Sequence, residues 1–136
     1  MVRQVLIVED DPDIAECLRY SFEQANFRTR LALTGTEGLS ASLDKENPPA
    51  AIVLDLLLPG INGLEICRRL RDDPATRRIP VIMVTAKGSE ADFAAGLKAG
   101  ADCYLTKPFS IRDVIERVSS LVRRSETNGT EAHSSD

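Results

Sequence analysis

Five residues of this chain could do chemistry together if the fold brought them close: the acids Glu9, Asp10 and Asp55, the hydroxyl of Thr85 and the amine of Lys107. Each follows a short apolar run: Val5-Leu6-Ile7-Val8 before Glu9, Ala51-Ile52-Val53-Leu54 before Asp55, Val81-Ile82-Met83-Val84 before Thr85, and Cys103-Tyr104-Leu105-Thr106 before Lys107. Three crowded carboxylates repel unless some are protonated or a cation joins them, and hard oxygen ligands select Mg²⁺ or a similar ion. Such an ion needs a further oxygen anion, which a phosphoryl donor supplies. An aspartate can attack phosphorus to form an acyl phosphate, with the ion and an ammonium offsetting the charge that develops. Asp55 is the candidate nucleophile and Lys107 the candidate ammonium; Thr85 can donate its hydroxyl to a phosphoryl oxygen, a contact that exists only after transfer.

What must position these groups is a series of strand-to-helix turns. The Val5, Ala51 and Val81 runs read as strands buried on both faces, and the Cys103 run as a short fifth strand. After Glu9-Asp10-Asp11, Pro12 suits a first helical position, Asp11 can cap it, and Ile14, Leu18, Phe22 and Ala25 share one face. Arg28 to Leu33 mixes polar and apolar residues, as an edge strand does. Gly35 to Leu43 predicts a short helix resting on Leu39 and Leu43, and Asn47-Pro48-Pro49 breaks the chain. Pro59-Gly60 turns, Asn62 can cap, and Leu64, Cys67 and Leu70 mark the next helix. Ser89 with Asp92, and Ser110 with Asp113, have the capping-box form that opens a helix. The first of these helices, Ala91 to Ala99, carries Gly96 and is expected to be less stable than its neighbours. The second has the apolar stripe Ile111, Val114, Ile115, Val118, Leu121, Val122. From Ser125 the periodicity ends, so a domain over 1–124 and a disordered tail or truncated linker over 125–136 are expected. Five strands alternating with five helices imply right-handed crossovers and an α/β, doubly wound parallel sheet covered on both faces. In such sheets ligands bind beyond the carboxyl ends of the strands.

Composition narrows the function classes. A chain of 136 residues, 43% hydrophobic, suits one domain. A formal charge of −4 argues against direct binding of nucleic acid or a membrane surface. Cys17, Cys67 and Cys103 are odd in number and lack a CxxC pair, which fits reduced thiols in a cytoplasmic protein. Neither a membrane span nor a signal peptide is expected, because the longest apolar run is broken by Asp55.

These residues also carry a resemblance. Val8-Glu9-Asp10-Asp11, Asp55 with Pro59 and Gly60, Thr85-Ala86, and Gly100-Ala101-Asp102 leading to Tyr104 and Lys107-Pro108-Phe109 occur in this order. The chain resembles bacterial two-component response-regulator receiver domains from Val5 to about Arg124. The resemblance implies a flavodoxin-like fold with strand order 2-1-3-4-5. It implies a signalling switch in which Asp55 accepts a phosphoryl group from a sensor histidine kinase or a phosphotransfer protein. By the same resemblance Asp10, Asp55 and the Leu57 backbone carbonyl hold Mg²⁺ with help from Glu9, Thr85 and Lys107 bind the phosphoryl group, and the Lys107–Pro108 bond is commonly cis. Thr85 and Tyr104 would form the switch pair: Thr85 moves towards the phosphoryl oxygens and Tyr104 turns into the space left. The surface of the fourth helix, fifth strand and fifth helix then changes, for a downstream output domain or protein or for a homodimer through that face. Many members of the family that dimerise through this face resemble Gly-Ala-Asp-Asp-Tyr where this chain has Gly-Ala-Asp-Cys-Tyr, so Cys103 removes a carboxylate often used in an ion pair between subunits. Leu57 and Lys87 flank the site where many relatives carry other residues.

Plainer roles compete with each of these. Asp10 and Asp11 can be helix caps, Asp55 a satisfied buried acid, Thr85 a turn cap and Tyr104 packing. The arginines Arg68, Arg69, Arg71, Arg77 and Arg78 read as a solvated helix end, and His133 as an inert tail residue. The expected protein is a phosphoacceptor and not an enzyme beyond its own Mg²⁺-dependent phosphorylation and dephosphorylation. A phosphatase of the haloacid-dehalogenase type would want an acid where Leu57 stands. The alternative of a pseudo-receiver, a binding module that works without phosphorylation, is usually marked by loss of an acid, the Thr or the Lys, and none is lost here.

Overall fold

The computed structural model describes residues 3–134, with the side chains of residues 3–126. The elements alternate as β1 (Gln4–Val8), α1 (Pro12–Gln24), β2 (Arg28–Ala32), α2 (Gly35–Ser42), β3 (Ala51–Leu54), α3 (Gly63–Asp72), β4 (Val81–Thr85), α4 (Glu90–Ala99), β5 (Cys103–Thr106) and α5 (Ile111–Ser134). All neighbouring strands pair in parallel, in the order β2-β1-β3-β4-β5. This is the doubly wound, flavodoxin-like arrangement. The register decides where the chemistry lands: Val8 lies opposite Leu54, Leu54 opposite Met83, and Thr85 opposite Thr106. The carboxyl ends of β1, β3, β4 and β5 therefore share one edge.

Because strand side chains alternate, each central strand feeds two cores. Leu6, Val8, Ile52, Leu54 and Met83 pack with Leu39, Ile66 and Leu70 of α2 and α3, while Val5, Ile7, Val53, Ile82 and Val84 pack with Leu18, Phe22, Val114 and Val118 of α1 and α5. A fully buried Leu, Ile or Phe is worth roughly 1.5–3 kcal/mol, which is why β1, β3 and β4, sealed on both sides, form the rigid centre. β2 alternates exposed and covered residues at the edge. The helices start as their sequences dictate: Asp11, Thr34, Asn62 and Ser89 each accept amide hydrogen bonds from the first turn of α1, α2, α3 and α4.

Four local expectations change. β2 stops at Ala32, leaving Leu33 exposed. Leu43 is also exposed, so α2 rests on Leu39 and on Gly38, where a Cβ would lie 2.6 Å from Val8 Cγ1. The last helix does not stop at Arg124, where the sequence pattern placed the start of a tail; its backbone continues to Ser134. Loss of apolar periodicity reports loss of a packing face and not loss of helix, and Glu126 is tied back to Arg3 by an ion pair of 2.7 Å.

The fourth concerns Arg71, which separates from the arginines around it. Its Nε donates to the Gly100 carbonyl at 2.9 Å, Nη1 to the carbonyls of Arg77 and Ile79 at 3.0 and 2.7 Å, and Nη2 to Asp102 Oδ2 at 3.0 Å. Asp102 Oδ2 also accepts from the Val81 amide at 2.8 Å. One guanidinium thus fastens the end of α3 to the approach to β4 and to the turn between α4 and β5. Arg71→Met removes these donors, and with a net value near 1 kcal/mol per hydrogen bond the expected loss is about 2–3 kcal/mol of stability at unchanged m-value in urea unfolding. A loss below about 0.5 kcal/mol would return Arg71 to the solvated surface.

Candidate functional site

The site is an extension of the sheet by one residue. The Glu9 amide donates to Ala32 O at 3.0 Å, the Asp55 amide to Val8 O at 3.0 Å, and the Lys107 amide to Thr85 O at 2.8 Å. Each functional residue is thereby held by the terminal carbonyl of the adjacent strand, so its backbone inherits the rigidity of the core. Gly63, the first residue of α3, lies against this edge: a Cβ there would come within 2.4 Å of Asp55 O. The helix can begin beside the acid only because that residue has no side chain.

Glu9 and Asp55 are both buried, Asp55 at 3% exposure and Glu9 at 0%, and Asp10 stands exposed at the mouth. Carboxylate oxygens of Glu9, Asp10 and Asp55 lie within 4.8 Å of one another. Asp55 Oδ1 accepts the Leu57 amide at 3.0 Å and Oδ2 accepts Lys107 Nζ at 2.9 Å, which fixes the carboxylate at both ends. Lys107 Nζ also lies 2.8 Å from Glu9 Oε1. That contact is a charge pairing without hydrogen-bond alignment, because Glu9 Oε1 is buried with no aligned donor. Glu9 Oε2 takes the Asp11 amide at 3.1 Å.

Burial drives the Glu9 carboxyl above its ordinary range, against the opposing pull of Lys107 and the Asp11 amide, and the Asp55 charge pushes the same way as burial. For Lys107 burial alone would lower the ammonium, but the contacts of Nζ with the Glu9 and Asp55 carboxylates outweigh it and the group is raised. The lysine is therefore charged, a single cation set against three acids. A divalent ion fits this surplus: the donors are all oxygen, one is a buried oxygen lacking an aligned partner, and Asp10 supplies a solvent-facing carboxylate.

The two adjacent aspartates, either of which could be a helix cap, have different jobs. Asp11 Oδ1 caps α1, accepting the amides of Asp13 and Ile14 at 2.9 and 3.3 Å, and leaves Asp10 to face the cluster. Thr85 is fully buried, and its Oγ1 accepts the Lys87 amide at 3.3 Å. Tyr104 is buried at 7% exposure, and its hydroxyl donates to the Lys87 carbonyl at 2.5 Å. Thr85 and Tyr104 therefore meet through the Lys87 backbone. Tyr104 lies inward while Thr85 Oγ1 holds the Lys87 amide. The Lys107–Pro108 peptide is cis. Leu57 is half exposed beside Asp55, held by its amide. Sequence reasoning missed Gly63 and the Lys87 backbone, since close approach and main-chain bonding leave no mark in residue type.

Fold and site define the class: a five-stranded doubly wound α/β domain in which three acids and a lysine meet at the carboxyl edge of the sheet. The family model described as the response regulator receiver domain matches residues 5–119, and the chain belongs to that family, as a receiver domain of two-component response regulators. The phosphate regulon transcriptional regulatory protein PhoB of Rhizobium meliloti (strain 1021) is 40% identical over 124 residues, 91% of this chain and 54% of that protein. The chain spans about half the length of the curated relatives it matches. The structure of the Francisella response regulator 1452 receiver domain matches with a TM-score of 0.82 at 36% identity, over 90% of this chain and 98% of that one. The Mn²⁺-bound form of response regulator Rcp1 matches with a TM-score of 0.74 at 25% identity, over 88% and 91%. Among the described residues no helix is long and apolar enough to cross a membrane.

Two measurements probe the charge balance. Lys107→Met leaves two buried acids without their cation and is expected to cost about 1–3 kcal/mol. Added Mg²⁺ should raise the unfolding midpoint of the wild type and raise that of Lys107→Met more, because the ammonium competes for the same oxygens; a midpoint indifferent to Mg²⁺ in both rules out a cation site here. The second is pH. The native state holds the Glu9 proton more tightly than the unfolded chain, whose value is near 4.5, so Glu9 subtracts stability as pH rises from about 4.5 through its raised native value. In chelator, the stability of Glu9→Gln relative to wild type should climb over that window and then level; a falling difference would mean that Lys107 holds Glu9 ionised.

Proposed function

We propose that this domain is a phosphorylation-dependent signalling switch whose phosphoacceptor is Asp55. The observation that carries the reading is the two-ended hold on that carboxylate, by the Leu57 amide and the Lys107 ammonium, inside an acidic cluster. A carboxylate oxygen of Asp55 attacks the phosphorus of a phosphohistidine on a sensor histidine kinase or phosphotransfer protein. A phosphorus–oxygen bond forms, the phosphorus–nitrogen bond breaks, and the leaving imidazole takes up a proton. Lys107 orients the attacking carboxylate and offsets the charge that gathers on the phosphoryl oxygens. Asp10, Asp55 and the Leu57 carbonyl would hold Mg²⁺, with Glu9 assisting. Bound there, the ion would supply charge neutralisation. The name of the Mn²⁺-bound Rcp1 structure supports a divalent ion in this family's fold. The domain is a phosphoacceptor and no enzyme beyond its own phosphorylation and dephosphorylation.

An apolar groove of about 500 Å³ beside the site, lined by Ile14, Cys17, Pro108, Phe109 and Ile111, supports docking of the donor. Lys107 lines this groove and also touches Asp55, so a helix of the donor seated there would present its phosphohistidine to the acid. The new group brings roughly −1.5 to −2 charges, and Thr85 is placed to donate its hydroxyl to it. Release of the Lys87 amide by Thr85 would then reach Tyr104 through the carbonyl of the same residue and alter the α4–β5–α5 surface, for a downstream output domain or a second copy. On that surface Arg117 Nη1 lies 3.3 Å from Cys103 Sγ within the chain, so the arginine meets a thiol at the position where the resemblance implies a carboxylate in many dimerising members. The reading includes a cytoplasmic location and no direct contact of this domain with nucleic acid or membrane.

Incubation with a small acyl-phosphate donor and Mg²⁺ should give a hydroxylamine-labile adduct on the wild type at one phosphoryl group per chain. Asp55→Asn should lose it; an adduct of unchanged yield on that variant would overturn the assignment.

A further inference from the structure

We propose that Gly96, in the middle of α4, is a positioning residue: its missing side chain is the seat of the Tyr104 ring, and it sets where Tyr104 and the Lys87 peptide beside Thr85 come to rest. A Cβ built on Gly96 would lie 2.6 Å from Tyr104 Cδ2, 2.8 Å from Cε2 and 3.3 Å from Met83 Sδ. The first two distances are well inside van der Waals contact, so alanine and the inward ring cannot both keep their places. Glycine in a helix interior is otherwise unfavourable, and nothing at this position needs its backbone freedom, since positive φ in α4 appears only at its cap, Gly100. The cost of the glycine is offset by the ring it admits.

The ring has two further contacts that hold it in the seat. Its hydroxyl donates to Lys87 O at 2.5 Å and Phe93 of α4 meets it edge-on with centroids 5.5 Å apart; Met83 of β4, its register partner, belongs to the same buried cluster. Burial, with smaller contributions from the charges of Asp92 and Asp55, pushes the Tyr104 phenol above its ordinary value of 10.0, as expected of a ring that has left solvent. From the seat a continuous path runs to the acidic edge: Gly96 to the Tyr104 ring, its hydroxyl to the Lys87 carbonyl, and the Lys87 amide to Thr85 Oγ1. Any larger residue at 96 is relieved most cheaply by sending the tyrosine outward, which breaks this path at its α4 end. That consequence for signalling rests on Thr85 and Tyr104 being the switch pair; the seat itself does not.

The test is a double-mutant cycle with a spectroscopic readout. In a Tyr104→Ala background, Gly96→Ala should raise the urea midpoint, as glycine removal from a helix interior does. With Tyr104 present the same substitution should lower it. In Tyr20→Phe protein, where Tyr104 is the only tyrosine, the phenolate absorbance titration should move down towards the ordinary phenol value on Gly96→Ala. An equal change in midpoint in both backgrounds, or an unmoved titration, overturns the proposal. Phosphoryl labelling of Asp55 is read in parallel on the wild type and Gly96→Ala. Absence of label on the wild type would defeat the switch reading and leave the seat to stand or fall on the cycle.

Discussion

The structure depends on one uneven charge balance: two acids are withdrawn from water at the end of the sheet, and one ammonium sits between them. Isolated buried carboxylates cost several kcal/mol each, so Glu9 and Asp55 are tolerable only because Lys107 reaches both, at 2.8 and 2.9 Å. The lysine arrives from the far side of the chain, 52 residues after Asp55. Its delivery requires the parallel order in which β3, β4 and β5 lie side by side, and the amide of Lys107 is bonded to the last residue of β4. The rigid, doubly covered centre is therefore a device for holding groups of like charge closer than they would choose. The remaining negative charge, with Asp10 at the mouth, leaves the edge acidic.

Around that rigid edge the two flanks differ in kind. On the α1 side the acids are fastened by a helix cap and by main-chain amides, with little that can move: Asp11 both caps α1 and gives its amide to Glu9. On the α4 side the contacts are a threonine hydroxyl, a tyrosine hydroxyl and an aromatic edge, all converging on the Lys87 peptide and a helix interrupted by glycine. Contacts of this type can be exchanged for others of similar energy, whereas a buried charge pair cannot. Arg71 marks the limit of the softer region, pinning the end of α4 to α3 and to the start of β4. A rearrangement propagated through Tyr104 would thus be confined to the α4–β5–α5 face.

Much of this was legible in the chain. The four apolar runs and their trailing polar residues marked the strands and the site edge, because strands of four or five residues buried on both faces need continuous apolar, β-branched stretches, as β1, β3 and β4 have. Capping pairs located the helix starts, since a side-chain oxygen three residues ahead of an amide is a local arrangement that sequence spacing can encode. The residue order places Asp11 at the cap of α1 and Asp10 in the acidic set, although a cap remained a competing role for Asp10. Arg71 was indistinguishable from four neighbouring arginines, and Gly96 read only as a weakness in its helix.

Sequence by itself determined the alternation of elements, the strands sealed on both faces, and the chemical set of three acids, a hydroxyl and an amine, because hydrophobic period and residue type are properties of short windows. Only the tertiary structure decided which oxygen of Asp55 meets Lys107, and that Thr85 and Tyr104 share the two ends of one residue's backbone. It also decided that a glycine in α4 is occupied space belonging to a tyrosine of β5. Those are distances set by strand register and by the packing of helix on sheet, and no local pattern carries them.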